Sequence, residues 1–505
     1  MTSGRTLTVS AVLAALAIAS VPAGAATLRI GMQEDPDALD PDQGGTYAGR
    51  AVFAAMCDKL VDITPDLDIV PVLATGWEWS DDNLALTLTL REGVVFHDGE
   101  PFDAEAVKYN IERSKTLGES KRKGELAQVE SVEVVDGHTA RLHLSQPFAP
   151  LLAQLTDRAG MMISPKAAEE LGADFPSRPA CSGPYEFVER IAQDSIRLKR
   201  FDRYWNPDEI HIDEVVYRYI EDPTVRLAAL QAGDIDIAER VSATDLEAVR
   251  NDPNLELVAI VGLGFTHLHV NTGNGPRSDT PLGESPRLRE ALELALDREV
   301  INQVAFNGEN LPGNQLVPPT SPYYIKKFPP PARDVERARQ ILAEEGHERL
   351  PVELAVVNSA DNVRVAQIVQ ALAGEAGFDV TVLPMETATS VQRYFAGDFE
   401  LYVGNWSGRA DPDGNLHAYL ACDGSQNHGR YCNPELDELL NGARAVSDPD
   451  ERYALYEKAA AIYLADRPTI PIYHLTWFFG VNDKVEGLTP YPDALTRLQG
   501  MRIGS

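Results

Sequence analysis

Positive charge is scarce: 45 Lys and Arg stand against 77 Asp and Glu in 505 residues, a formal net charge of −32. Nucleic-acid binding runs on Lys and Arg displacing counterions from phosphates, so a general nucleic-acid binder is excluded. Cysteine is sparse, four in all. None sits in C-x-x-C spacing with convergent His, which removes a zinc site. Reaction motifs are missing too. There is no H-E-x-x-H, no G-x-S-x-G and no G-x-x-x-x-G-K-S/T. The lone Gly262-Leu263-Gly264 has no third glycine and no helix start behind it, and His97-Asp98 reads as a turn. No set of residues supplies a nucleophile, a base and an oxyanion site together, so neither an enzyme, a metal site nor a cofactor is expected. What is present is ordinary globular composition, 44 % hydrophobic and 24 % charged. Its length corresponds to roughly three domain-sized units.

Long apolar runs are also lacking, with one exception. Arg5 precedes LTVSAVLAALAIASV (Leu7 to Val21), and PAGAA follows. Charge, a short apolar core and small residues at the exit make a secretory signal peptide. The run is short for a membrane span, and no later segment reaches about 18 apolar residues. Cleavage is expected near Ala25 or Ala26, with an uncleaved anchor as the rival. The first cysteine, Cys57, is too distant to carry a lipid, so a lipoprotein is not expected. A soluble periplasmic protein follows. Export permits disulfides, and the cysteine count is even. Three pairings are possible. Cys422 and Cys432 bracket a short loop with Gly424 and Gly429, so a local bridge is the simplest choice. It leaves Cys57 with Cys181.

The first half reads as strand-rich. Ala85–Leu90, ALTLTL, alternates with period 2. Asp103 caps a helix over AEAVKYNIERS, and Val132–Val135 with Thr139–Leu144 form a hairpin around Asp136-Gly137. The second half alternates. Ser285-Pro286 opens a helix, and Asp334 to Glu345 is another. Val352–Val357, Val363–Ala376 and Phe378–Leu383 then read as strand, helix, strand. That order predicts an α/β fold with helices on the faces of a sheet. Ser447 with Asp450 resembles a capping box for a long helix ending at Pro468.

The chemistry gathers after the strand-like Phe399–Val403, in Asn405-Trp406-Ser407-Gly408-Arg409-Ala410-Asp411-Pro412-Asp413. Strand exits in open α/β sheets are where ligands bind. Arg409 offers a planar fork for a carboxylate. Trp406 is either an apolar platform or core. Asp411 and Asp413 could meet an amine, but Asp411-Pro412 is equally a helix cap followed by Pro at the first helical position.

With these residues the chain resembles the extracellular solute-binding proteins of the dipeptide, oligopeptide and nickel type, family 5. The segments that carry the resemblance stand in family order. They are LATGWEW from Leu73, LTLTLREGVVFHDGEPFDAEAVKYNIER from Leu86, SGPYEF from Ser182, RFDRYW from Arg200, VRLAALQAGDIDIAER from Val225, RLREALELALDREVI from Arg287, the Trp406–Asp413 segment, and DPDERYALYEKAAAIYLADRPTIPIYH from Asp448. The resemblance implies a two-lobed periplasmic-binding-protein fold with a hinge and an extra subdomain inserted in the first lobe. The expected boundaries are a signal peptide at 1–25, a first lobe at 26–262 with the insert at about 52–180, a second lobe at 263–477 and a return segment at 478–505. It implies a monomer that captures a peptide-like or opine-like small molecule and delivers it to a cognate ABC permease in the inner membrane. Candidate ligand contacts are Arg409, Trp406, Asp411, Asp413, Asn405 and Tyr47. Peptide-binding members carry an acidic residue where Arg409 stands, so a carboxylate-bearing ligand is expected here. They also carry a similar close cysteine pair, which favours Cys422–Cys432. The rival readings are a non-transport binding protein of the same fold, acting as chaperone or chemosensory receptor, and a periplasmic hydrolase. The spacing of Asp411 and Asp413 around Pro412 does not aim both at one atom, which weighs against the hydrolase.

Overall fold

The computed structural model describes residues 25–504. The signal peptide read at 1–25 lies outside them except for Ala25. Among the described residues no helix is long and apolar enough to cross a membrane.

The molecule is organised on one mixed sheet of 11 strands. Its order from one edge is Phe378–Met385, Leu350–Val357, Leu401–Trp406, Leu255–Val270, Thr469–Asn482, Ile237–Ala238, Thr27–Met32, Glu214–Tyr219, Ser195–Arg200 and Tyr185–Ile191; the short Leu311–Pro312 pairs beside Thr469–Asn482. The predicted strand–helix–strand at 350–385 is a parallel pair, with Leu354 opposite Val382, joined by the helix Ala360–Ala376. Alternation along Thr27–Met32 buries Leu28 and Ile30 completely, opposite Val215 and Tyr217.

Two strands run much further than their sequence signals suggest. Leu255–Val270 is 16 residues long and Thr469–Asn482 is 14, where only Ile470–His474 reads as strand. Each serves two cores. Ile470 and Ile472 pack with Leu268, Leu354 and Val403. Phe479 and Val481 pack with Leu28, Val215 and Tyr217. The antiparallel register between them slips between Val261 and Phe265. The sequence reads Gly262-Leu263-Gly264 at that slip. A Cβ on Gly262 would lie 2.5 Å from the Trp477 Nε1, and one on Gly264 2.3 Å from the Trp406 carbonyl oxygen. The glycines therefore permit backbone crossing between two cores and cradle no phosphate.

A separate antiparallel sheet orders Ala74–Trp79, Ala85–Leu90, Thr139–Leu144 and Val129–Asp136. Its inward residues Leu86, Leu88 and Leu142 are fully buried, with the helix Ala104–Thr116 adding Val107 and Ile111. Each such leucine contributes about 1.5–3 kcal/mol. Asp103 caps that helix, accepting from the Ala106 N–H at 2.9 Å. The cap of the last long helix is one residue later than the sequence suggests. Asp448 accepts from the Asp450 and Glu451 N–H groups at 3.0 Å each. Pro449 takes the first helical position, where its missing N–H costs nothing, and that fixes Asp448 rather than Ser447 as the cap.

Disulfides join Cys57 to Cys181 and Cys422 to Cys432. His97 works beside the first. Its Nδ1 accepts from the Cys181 N–H, and its Nε2 meets the Gly183 carbonyl at 3.0 Å.

Candidate ligand-binding cleft

The strand Leu401–Trp406 ends at a loop that must turn sharply under the crossing strands. Gly408 adopts φ +79°, and a Cβ there would lie 2.1 Å from the Leu263 backbone carbon. The turn sends the next residues in different directions. Asp411 points towards the helix Pro449–Asp466, where Arg452 takes both its carboxylate oxygens at 2.8 and 2.9 Å. It also caps the short helix at Pro412, accepting from the Asp413 N–H at 2.9 Å. Asp413 pairs with Arg444 at 2.8 Å. Burial raises the Asp413 pKa, and Arg444 opposes the rise. Both carboxylates are spent on arginines of two successive helices, Pro434–Ala445 and Pro449–Asp466.

Arg409 folds back on the end of the preceding strand. Its guanidinium lies 4.5 Å above the Trp406 ring and donates to the Gly408 carbonyl at 2.7 Å. It borders a gap of about 20 Å³ shared with Arg50, Asp157, Asp411 and Asp493. Burial lowers the Arg409 pKa, and Asp157 across the gap works against that. Asp157 itself would be raised by burial, but Arg50, Arg158 and Arg409 hold it well below the usual carboxylate range.

Beside this gap opens a cavity of about 620 Å³. Tyr47 and Arg240 line it from one core's side, Asp361, Asn405 and Trp406 from the other, and Trp477 from the crossing strand. Of the residues singled out in the sequence, Tyr47, Asn405 and Trp406 meet here. Arg409, Asp411 and Asp413 do not line it. Trp406 Nε1 donates to Asn415 Oδ1 at 2.9 Å, which sets the ring's orientation. Asn405 accepts from Thr266 Oγ1 at 2.7 Å and donates to Asn362 Oδ1 at 3.1 Å. Tyr47 stacks on Trp477 with ring centres 4.7 Å apart, and its hydroxyl donates to the Ala494 carbonyl. Asp361 sits in the first turn of the helix Ala360–Ala376, 3.2 Å from Arg364.

The cavity is lined by two cations, Arg226 and Arg240, and one anion, Asp361, set among aromatic faces; Arg226 is spent on main-chain carbonyls, which leaves Arg240 opposite Asp361. Such a site can bind a dipolar molecule. Among the described residues no group of three or more His, Cys, Asp or Glu could hold a metal.

The family model of bacterial extracellular solute-binding proteins, family 5 Middle, matches residues 68–427. The chain belongs to this family. Over 472 residues this family 5 protein is 30% identical to the glutathione-binding protein GsiB of Salmonella paratyphi A, covering 91% of each chain. Among solved structures it is similar to DppA from Helicobacter pylori in complex with peptide STSA. That likeness has a TM-score of 0.83, 26% identity, and coverage of 95% of this chain and 98% of that one. It is also similar to AgaA from A. tumefaciens R10 in complex with agropinic acid, with a TM-score of 0.81, 26% identity, and coverage of 95% and 99%. The fold is therefore the two-lobed periplasmic-binding-protein fold.

In this family 5 cleft the sequence reading missed Arg240, Asp361 and Trp477. Arg240 closes the segment VRLAALQAGDIDIAER, and a signal was there to read. Two charged residues, Glu239 and Arg240, follow a short buried strand, Ile237–Ala238, at the centre of the sheet. Asp361 reads only as a first-turn acid of a helix, and Trp477 lies beyond the recognised strand.

Proposed function

We propose that this family 5 protein is the periplasmic substrate-binding component of an ABC importer, and that it captures a small dipolar solute bearing a carboxylate. The ligand is a short peptide or an amino-acid derivative. The observation that carries this reading is the 620 Å³ cavity lined by Arg240 and Asp361, which belong to different strand and helix segments of the chain. Its volume falls in the usual range of about 300–1,000 Å³ for small-molecule sites. The names of the relatives support a ligand of this kind, glutathione for GsiB, a peptide for DppA and agropinic acid for AgaA.

The first lobe is 26–262 with the return segment 478–505, and the second is 263–477. The insert at about 52–180 contains the four-stranded sheet. Tyr47, Asn405 and Trp406 contact the ligand. Arg409 acts beside them, where the lobes approach each other. The protein works as a monomer after losing its signal peptide, and hands the ligand to an inner-membrane permease.

The mechanism needs no chemical step. A ligand that touches both lobes binds the closed form more tightly than the open one and shifts the population towards closure. Moving the equilibrium from 1:99 to 99:1 takes about 5.5 kcal/mol of differential binding. A charge-assisted fork on a carboxylate and buried aromatic contacts supply energies of that order.

The test is thermal unfolding of the mature protein against glutathione, di- and tripeptides, opines, oligosaccharides and nickel. A ligand present at 100 times its Kd adds about 2.7 kcal/mol. Glutathione, a peptide or an opine is expected to raise the midpoint. A shift with the sugars or nickel alone would overturn the ligand class.

A further inference from the structure

Arg240 holds a backbone conformation that a residue with a side chain rarely adopts, φ +53°. Arg226 keeps it there. That residue is 1% exposed and spends its guanidinium on main-chain carbonyls. Nε donates to the Glu239 carbonyl at 2.8 Å and Nη2 to the Arg240 carbonyl at 2.9 Å, while Nη1 reaches the Ile220 carbonyl. One buried arginine thus sets the main chain under another.

The Arg240 guanidinium then lies against two rings, 4.8 Å from the centre of Tyr47 and 4.6 Å from that of Trp477. Its Nη1 makes one long bond, 3.4 Å to Gln33 Oε1, and its buried Nε has no partner. Arg452 and Arg497 are also largely buried, yet each is matched to a carboxylate at 2.8 Å. Among the described residues Arg240 is in no ion pair. Its sequence neighbour Glu239 does not supply one. Burial pushes that carboxyl up to about 7, against the pull of Arg240 and Arg226, and its Oε1 is unpartnered. A cation oriented on aromatic faces, with free donors and no counterion, is facing a ligand cavity.

We infer that Arg240 recognises a free carboxylate of the ligand, through the planar fork that its ring contacts and Arg226 hold in place. The inference rests on the reading of the cavity as the ligand site. A flat guanidinium edge matches a flat carboxylate in two parallel hydrogen bonds. Asp361 on the other lobe repels a dianion, so a carboxylate suits the site better than a phosphate. The ligand lies with its carboxylate towards the first lobe and its amine towards Asp361.

The experiment is calorimetric titration of the mature wild type, Arg240→Gln and Arg240→Gly with two pairs of probes. They are glutathione with its dimethyl ester, and alanyl-alanine with its C-terminal amide; inorganic phosphate is a fifth probe. Arg240→Gly suits the positive φ and so guards against misfolding. For at least one pair, blocking the carboxylate is expected to weaken wild-type binding by about ten- to a hundredfold. Both variants are expected to lose a similar factor on the acid and to bind acid and blocked form equally. A wild type that ignores both acids overturns the functional reading and this inference with it. Equal binding of acid and blocked form by the wild type, a difference that persists in the variants, or tighter binding of phosphate than of either acid overturns the assignment of Arg240 alone.

Discussion

Arg452 holds Asp411 by both carboxylate oxygens, at 2.8 and 2.9 Å. The side chains are only 7% and 10% exposed. Removing one member of such a pair strands the other charge, at a cost of about 3–5 kcal/mol. Asp411→Asn is therefore expected to lower the melting temperature strongly. Ligand affinity, measured well below that temperature, should change less than about threefold, a fraction of the tenfold that 1.4 kcal/mol represents. Intact stability with lost affinity would place Asp411 on the ligand instead.

Arg409 and Asp157 border the same gap of about 20 Å³ and fall on opposite sides of the lobe boundary proposed above. Their attraction favours closure without touching the large cavity. Arg409→Ala should leave the ligand-free melting temperature nearly unchanged and weaken binding by roughly tenfold, a typical coupling of 1–3 kcal/mol. Arg409→Lys should recover part of the loss, since it restores the charge. Unchanged affinity in the alanine variant would show that the pair does not contribute to closure.

The disulfides close loops of very different length, with sequence separations of 124 and 10. In the chain-entropy account they stabilise by about 5 and about 3 kcal/mol respectively. Replacing Cys57 and Cys181 by alanine should lower the denaturant midpoint more than replacing Cys422 and Cys432. The reverse order would mean that native packing, rather than the unfolded chain, sets these contributions.

His474 is completely buried at the crossing of the long strands, and burial pushes its pKa down to about 4. The unfolded chain, with a pKa near 6.5, binds the proton first. Stability from this residue is present above about pH 6.5 and falls by about 3 kcal/mol as pH drops to 4. His267, pushed down to about 3, acts in the same direction. Asp58 and Glu239, raised to about 7 by burial, act oppositely and lower stability as pH rises from 4 to 7. The His474→Gln variant isolates the residue. Its stability, from urea melts at pH 6.5 and 4, should fall less than that of the wild type. An identical pH dependence would show that His474 does not contribute.

Local chemistry made much of the fold readable. Period-2 alternation placed Ala85–Leu90, and caps placed the helices after Asp103 and Ser285, because these signals act over a few residues. The family segments gave the family and the architecture.

Only the tertiary structure decided how the charged residues divide. Asp411 and Arg452 are 41 positions apart, and no spacing rule pairs them. Arg409 was sorted from the cavity by the turn at Gly408, whose constraint comes from Leu263 on a distant strand. Arg240 entered the site because Arg226 fixed its main chain and Tyr47 with Trp477 supplied the surface beneath it. A sequence carries local propensity and pattern. Which cation keeps its donors free depends on which carboxylates and carbonyls reach it in space, and the crossing of two long strands settles that.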